Sequence, residues 1–569
     1  MAASSNIIKP FALVLPAAVT SRSTTLWPSM ILGCNGPPAL GQELLTLPAE
    51  QEKGTRELSD RDQHASIGMM GAARSTMDRA VTSMSASSAD HLSMQLAGVP
   101  PETGSDEVPS PRHRRSFIWS DLGLSFTPSA SYSECSLPLS SPLLHELQHT
   151  TALKTISDHP HLFKIITLIN VCHFEELLVT HPNRPFIDSV LKGLREGFWP
   201  AADTSDVTYP ETWDNSSREL CEAQQVEFAH HHIQEEENSG CFSPPFGTEL
   251  LPGMYSMPFG VVLKPNSEKF RMVVDHSAEP YSLNSIIPPH QSTAQLNDIH
   301  DLRRCLRKVH RACQDALITL FKSNVSHAYC CIPMHPLWQL KQVITFEGQH
   351  RVDRCNIIGN RKGGDLWCAF MSLVLWVAIS VLDLSDLLAY VDDTFSWDLE
   401  GRLTWYDSYG QLFPEKQARL LMLWDDLGIP HEHSKQIFGS PLSIIGFEVD
   451  TGLMKVSLLK QRQDELVEEI QRFGHRTKGT HRRPLREFRR LAGWTSWALN
   501  VFPLLRPGLC LLYRKISNKI HPHQLVEVSV ALFKELEWLA SHIERSDGVF
   551  FFTSVAWNAK DADGAYSVP

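Results

Sequence analysis

Between Leu366 and Leu382 the chain runs for seventeen residues with only Ser372 and Ser380 as polar members, and shortly afterwards it reaches Tyr390-Val391-Asp392-Asp393. A run of that length sits at the lower limit for a membrane span. A polar, glycine-containing loop precedes it, however, and Asp383 and Asp386 crowd its end. The pattern therefore predicts a helix buried inside a soluble protein, with a membrane anchor as the weaker reading. The residues that follow predict a strand over Leu387–Val391 and another over Thr394–Trp397. A chain with this feature has to lay a fully apolar helix against a tight hairpin that carries two adjacent carboxylates.

Other segments show the same alternation of patterns. Phe259–Lys264 and Phe270–Asp275 predict strands joined by Pro265-Asn266-Ser267-Glu268. Leu317–Lys322 predicts a strand leading into a helix near Val325. Lys341–Phe346 and Arg351–Ile358 flank Gly348 as a hairpin, and Ser443–Val449 pairs with Leu453–Ser457. Helices are predicted over Phe163–Leu178, Phe186–Phe198, Glu219–Glu237 with Ser217 as N-cap, Phe413–Leu427, Leu459–Phe473, Leu485–Val501 and Leu525–His542. Strand-rich segments followed by helical ones imply an α+β fold. Residues 1–140 are rich in Ser, Thr, Ala, Pro and Met and carry no apolar period, so they predict a disordered, low-complexity region. The expected divisions are a helical extension over 141–255, a mixed domain over 256–458, a basic helical region over 459–545 and a stub over 546–569.

Charge narrows the partners. The net charge is −12, which excludes a uniformly basic nucleic-acid binder. Between Gln471 and Ile520, however, twelve bases face one acid, Glu487. Arg482, Arg483, Arg486, Arg489 and Arg490 are the densest part, and a phosphate-facing surface is expected there. The twelve cysteines form no Cys-x-x-Cys pair, and Cys330-Cys331 are adjacent. That predicts an intracellular location, cytoplasmic or nuclear, and no structural zinc. Neither His230-His231-His232 nor His431-x-His433 has a partner at zinc spacing. Phe11–Val19 is short and interrupted by Pro16, so no leader peptide is expected.

Asp392 and Asp393 suit hard cations, which want oxygen ligands on a rigid support. Taken alone, they equally suit an acidic hairpin turn. The surrounding motifs decide. Pro258–Pro265 with Phe270–Ser277, then Asn284, then Leu320–Tyr329 with Pro333-Met334-His335-Pro336, form an ordered series. It continues through Gly359-Asn360-Arg361 to Phe370, Tyr390–Asp393, Leu427–Pro430 with Lys435-Gln436, and Ile445–Asp450. This series resembles reverse transcriptases, most closely those of DIRS-like tyrosine-recombinase retrotransposons found in fungi, and it covers roughly Pro182 to Ser541.

The resemblance implies a right-hand polymerase with fingers, palm and thumb, followed by a helical connection. It implies RNA-directed DNA synthesis with two Mg²⁺ or Mn²⁺ ions at Asp392 and Asp393, acting on an RNA or DNA template–primer and deoxynucleoside triphosphates. No membrane and no small-molecule cofactor are expected, and the oligomeric state is not legible. By the same resemblance Lys264 and Arg271 hold the triphosphate, Tyr329 lies under the sugar, Gly359 lines the nucleotide site and Lys435 assists pyrophosphate departure. Tyr390, Gly446 and Phe447 fall where the family touches nucleic acid.

The pattern breaks at one place. The family carries an aspartate at the position of Asn324, and an amide can neither supply negative charge nor bridge two ions well. A loss on the order of a thousandfold in rate is expected. Cys330 and Cys331 stand where relatives carry arginines. Asp365 sits in a loop where a neutral residue or a cation would better suit nucleic acid. The residues from Val549 to Pro569 are too few for the RNase H domain that follows in relatives. These departures predict a degenerate copy of low or no activity, and alternatively a non-catalytic nucleic-acid-binding protein.

Overall fold

The computed structural model describes residues 129–217, 220–264, 268–288, 296–313, 316–475 and 481–550. The expectations for residues 1–128, for the Pro265–Ser267 part of the turn and for 551–569 lie outside them. The described residues all belong to the unit that holds Arg115–Pro569.

The α+β class is the one found. At its centre is an antiparallel four-stranded sheet in the order Ile437–Gly439, Ile318–Asn324, Asp393–Leu399, Leu388–Tyr390. Successive residues of a strand face opposite sides of a sheet. Here Phe321 enters one core, while Ile318 and Leu320 enter another with Leu388 and Phe395. The first core holds the apolar helix, which runs from Gly363 to Trp376 and continues as a π-turn to Val381. It is long and apolar enough to cross a membrane, but most of it is buried among other parts of the protein. Helix Glu415–Leu427 covers the same face, and its Gln417 Nε2 donates to Ser323 Oγ at 3.2 Å. The second core is closed by helix Ile299–Ala312 and by the C-terminal helices Lys460–Gly474, Leu485–Ala498 and Val530–Arg545. Helix Ile299–Ala312 starts in a capping box between Asp298 and Asp301, which satisfies its first free N–H groups.

Several boundaries differ from the sequence expectation. Helix Ser129–Cys135 falls within residues 1–140, which were expected to be disordered. Only Val171–Leu177 of the Phe163–Leu178 segment is helical. Asn170 caps it, and its backbone N–H donates to Leu427 O at 2.8 Å, so tertiary pairing holds the preceding residues extended. No α-helix forms at Val325. The strand extends to Asn324, and a 3-10 turn over Ala328–Cys331 follows. The expected strand Ser443–Val449 is two strands, Leu442–Ile444 and Phe447–Asp450, folded back on each other. Ile445 and Gly446 between them both take positive φ. Leu525–Glu527 is a short strand ahead of helix Val530–Arg545 rather than its first turn.

A separate two-stranded hairpin pairs Phe259–Leu263 with Phe270–Val274. Arg354 acts as an internal fastener. Its guanidinium donates to the carbonyls of His161, Leu162, Gly240 and Phe242 at 2.7–3.2 Å, tying three remote segments together.

Candidate active site

The two central strands place the candidate carboxylates by register. Asn324 pairs directly with Asp393, and Tyr390 with Asp393 across the hairpin. The hairpin turn is Val391-Asp392. Val391 has φ +57°, a conformation that a β-branched residue adopts only under strain. The turn is held from outside: Trp367 Nε1 donates to Val391 O at 2.8 Å, and Val325 N donates to Asp392 O at 3.2 Å. Trp367 was not singled out in the sequence. It lies 24 residues away on the apolar helix, where a tryptophan has the look of plain core.

The three residues singled out as a degenerate catalytic set therefore meet. Asn324 Nδ2 donates to Asp392 Oδ2 at 3.1 Å and to Asp393 Oδ1 at 2.9 Å. Ionised carboxylates only accept, so the amide must turn its NH₂ towards them. Gln436 fixes the strand end from behind, donating to Asn324 O at 3.1 Å and to Glu432 O at 3.0 Å. Burial raises the Asp392 carboxyl above its ordinary range, and the Asp393 charge pushes the same way, while the Asn324 amide opposes both.

A pair of hard divalent ions needs a carboxylate that bridges them. The donor set here is two carboxylates and one amide, and the amide already supplies the positive edge between the carboxylates. Asp392 and Asp393 have the chemistry to hold one Mg²⁺ or Mn²⁺ after the amide turns. They do not fit two.

Cations converge beside this set. Lys264 stands at the end of strand Phe259–Leu263 and Arg271 near the start of its partner, where Val262 pairs with Arg271. Burial first, then the charges of Arg271 and Lys435, hold the Lys264 ammonium below its usual range. Lys264 thus lies within electrostatic reach of both Arg271 and Lys435, although the sequence separates Lys435 widely from it. Lys435 Nζ contacts Ser326 Oγ and Glu432 Oε1, both at 3.3 Å. The Tyr329 hydroxyl is buried without a hydrogen-bond partner, and burial raises its pKa well above the phenol range. Arg271, Asp392 and Asp365 all lie near enough to influence it. Asp365 lies in the first turn of helix Gly363–Trp376 rather than in a loop, and Lys362 pairs with it at 2.8 Å, so the acid is neutralised locally.

Gly359 has a packing reason for being glycine. Its φ is +133°, and a Cβ would stand 1.9 Å from Val274 O. Asn284 Nδ2 donates to Gly359 O at 2.8 Å. Gly446 is also packed tightly, with Trp497 2.9 Å from an added Cβ. Phe447 needs correction: it is 1% exposed and stacks on Trp497 with ring centroids 4.6 Å apart, so it is core and not a surface for nucleic acid.

The basic patch divides. Arg490 donates to Glu469 Oε1 at 2.8 Å, and Arg472 Nε to Glu469 Oε2 at 2.8 Å. Arg483 donates to Glu487 and to the carbonyls of Phe473 and Arg472. Arg489 donates to Lys519 O at 2.7 Å. Arg482 and Arg486 are exposed. Glu469 lies just outside the basic window, which is why a count along the sequence overstates the patch.

No family model matches the chain. No curated protein matches it either. Among solved structures it is similar to the foamy viral protease-reverse transcriptase dRH in complex with double-stranded DNA, at 12% identity and TM-score 0.42 over 78% of this chain and 63% of that one. It is similar to the same enzyme with double-stranded DNA at 14% identity and TM-score 0.43, over 69% of this chain and 75% of that one. A complex with an RNA/DNA hybrid gives 14% identity and TM-score 0.41, over 76% of this chain and 48% of that one. The chain thus spans less than two thirds of the length of the first of these.

Proposed function

We propose that the chain is the polymerase region of a retrotransposon reverse transcriptase whose nucleotidyl-transfer centre is impaired. One observation carries this reading: Asn324, Asp392 and Asp393, up to 69 residues apart in sequence, share one site on paired strands, with an amide between the carboxylates. Nucleotidyl transfer depends on positioning and charge neutralisation. Lys264, Arg271 and Lys435 are the groups that would take a triphosphate, and Tyr329 the ring beside its sugar. A template–primer would follow the exposed arginines of the C-terminal helices.

The test is primer extension on an RNA template with Mg²⁺ and with Mn²⁺, comparing the native chain with Asn324→Asp and Asp392→Ala. The expected result is native activity near the Asp392→Ala background and an Asn324→Asp chain faster by on the order of a thousandfold. Native activity equal to that of Asn324→Asp would overturn the impairment. If all three are silent while template–primer binds with a steep salt dependence, the function is non-catalytic nucleic-acid binding. The observation that favours this second reading is the same amide, since it removes charge without opening the site.

A further inference from the structure

Behind Tyr329 lies a cluster that the polymerase reading does not use. Glu236 on helix Ala223–Ser239, and His327 and Cys330 in the loop after Asn324, present ligand atoms within 4.8 Å of one another. Cys330 Sγ stands 3.8 and 4.0 Å from the two Glu236 oxygens. Cys241 follows the end of the same helix, one residue after its C-cap Gly240. Backbone pairing fixes this convergence: Arg354 N donates to Cys241 O, Pro333 bridges to Cys355, and Phe242 to Asp353.

Glu236 is 8% exposed, and Cys330 Sγ and His232 Nδ1, the latter at 3.8 Å, stand beside its carboxylate. A buried carboxylate is costly unless a partner neutralises it. A second triad, His145, Glu146 and Asp203, differs on this point. There Glu146 accepts from Thr204 N and Thr204 Oγ1, both at 2.6 Å, and needs nothing more.

We propose that Glu236, His327 and Cys330 form a site for one thiophilic divalent cation of the zinc class. A carboxylate, an imidazole and a thiol supply three of the four donors of a tetrahedral zinc site, and water supplies the fourth. Metal–sulfur bonds of about 2.3 Å and metal–oxygen or –nitrogen bonds of about 2.0–2.1 Å require only a contraction of roughly 1 Å from the present spacing. The Cys330 thiol releases its proton to solvent as the ion binds. The ion would pin the loop that carries Tyr329, since Cys330 is its next residue. Cysteine spacing, on which the expectation of no structural zinc rests, does not bear on this cluster, because its residues come from separate segments rather than one short spacing.

The experiment uses the full chain, reduced and stripped with EDTA, then titrated with Co²⁺ alone and in competition with Zn²⁺. The expected result is one ion per chain by elemental analysis, a thiolate-to-cobalt charge-transfer band and intense tetrahedral d–d bands, all displaced by Zn²⁺. Cys330→Ser should abolish the charge-transfer band or sharply weaken it, and Glu236→Gln should weaken affinity at least ~10-fold. His327→Ala, in an exposed position, is the second variant should Cys330→Ser fail to fold. Cys510→Ser, at an exposed thiol elsewhere, should change nothing. A native chain with no cobalt–thiolate band overturns the proposal, as do bands that survive Cys330→Ser and His327→Ala unchanged. Neither readout depends on polymerase activity.

Discussion

At the residue scale, Asn324 decides the chemistry because it replaces a charge with a hydrogen-bond donor. Its NH₂ satisfies Asp392 and Asp393 together. Asn324→Asp would bring three carboxylates into one half-buried site where Asp392 is already difficult to ionise. In EDTA the variant should lose about 1–3 kcal/mol of stability. Mg²⁺ or Mn²⁺ should restore it, by about 2.7 kcal/mol when the ion is at 100 times its Kd. Thermal melts of both chains with and without the ion check this. A variant as stable as the native chain in EDTA, and unmoved by the ion, would show that the carboxylates do not converge. The departure at Asn324 was legible only because the ordered motifs fixed which position it occupied. Trp367, which holds the same site in place, gave no such signal, since its contact is with the backbone carbonyl of a residue 24 positions away.

At the element scale, hairpins were read best where turn chemistry and alternation agreed, as in Phe259–Leu263 with Phe270–Val274. They were read worst at Ile445-Gly446, where isoleucine's strand preference hid a turn that packing against Trp497 enforces. The residue that ends the first hairpin motif, His276, makes a further prediction. It is 1% exposed, and neither ring nitrogen has a partner. Burial lowers its pKa from 6.5 to about 3. The folded state therefore holds the neutral ring, and its advantage is complete above the unfolded value of 6.5 and is lost as pH falls from there towards 3. His276→Phe keeps a ring against Trp338 and removes the titration. Going from pH 7 to pH 5, the native chain should lose about 2 kcal/mol more than the variant, read from urea midpoints. His335 is shifted in the same direction, to about 4, so the slope should shrink rather than vanish. Equal losses in the two chains would mean that His276 is solvated.

At the scale of the whole molecule, charge counted along the chain and charge presented to a partner are different quantities. Arg472 and Arg490 share the buried Glu469, and Arg483 is engaged with Glu487 and two carbonyls. Arg489 and Arg490 are exposed as Arg482 and Arg486 are, but their guanidiniums are engaged with Lys519 O and Glu469. Arg486→Gln should weaken template–primer binding and lower the slope of log K against log salt by about 1. Arg490→Gln should leave that slope nearly unchanged and act on stability instead, because it takes one partner from a buried carboxylate. Fluorescence anisotropy over a salt series separates the two, and equal slopes for both variants would refute the division. By itself the sequence determined the α+β class, most element positions, the buried apolar helix and the hairpin bearing Asp392 and Asp393. Those follow from periodicity and turn residues, which act over a few positions. Only the tertiary structure decided that Asn324 lies between the two aspartates, that Phe447 is core, that Arg472, Arg483, Arg489 and Arg490 are already engaged, and that Cys330 meets Glu236. Most of these are contacts between segments remote along the chain, set by strand register and packing, which no local pattern records.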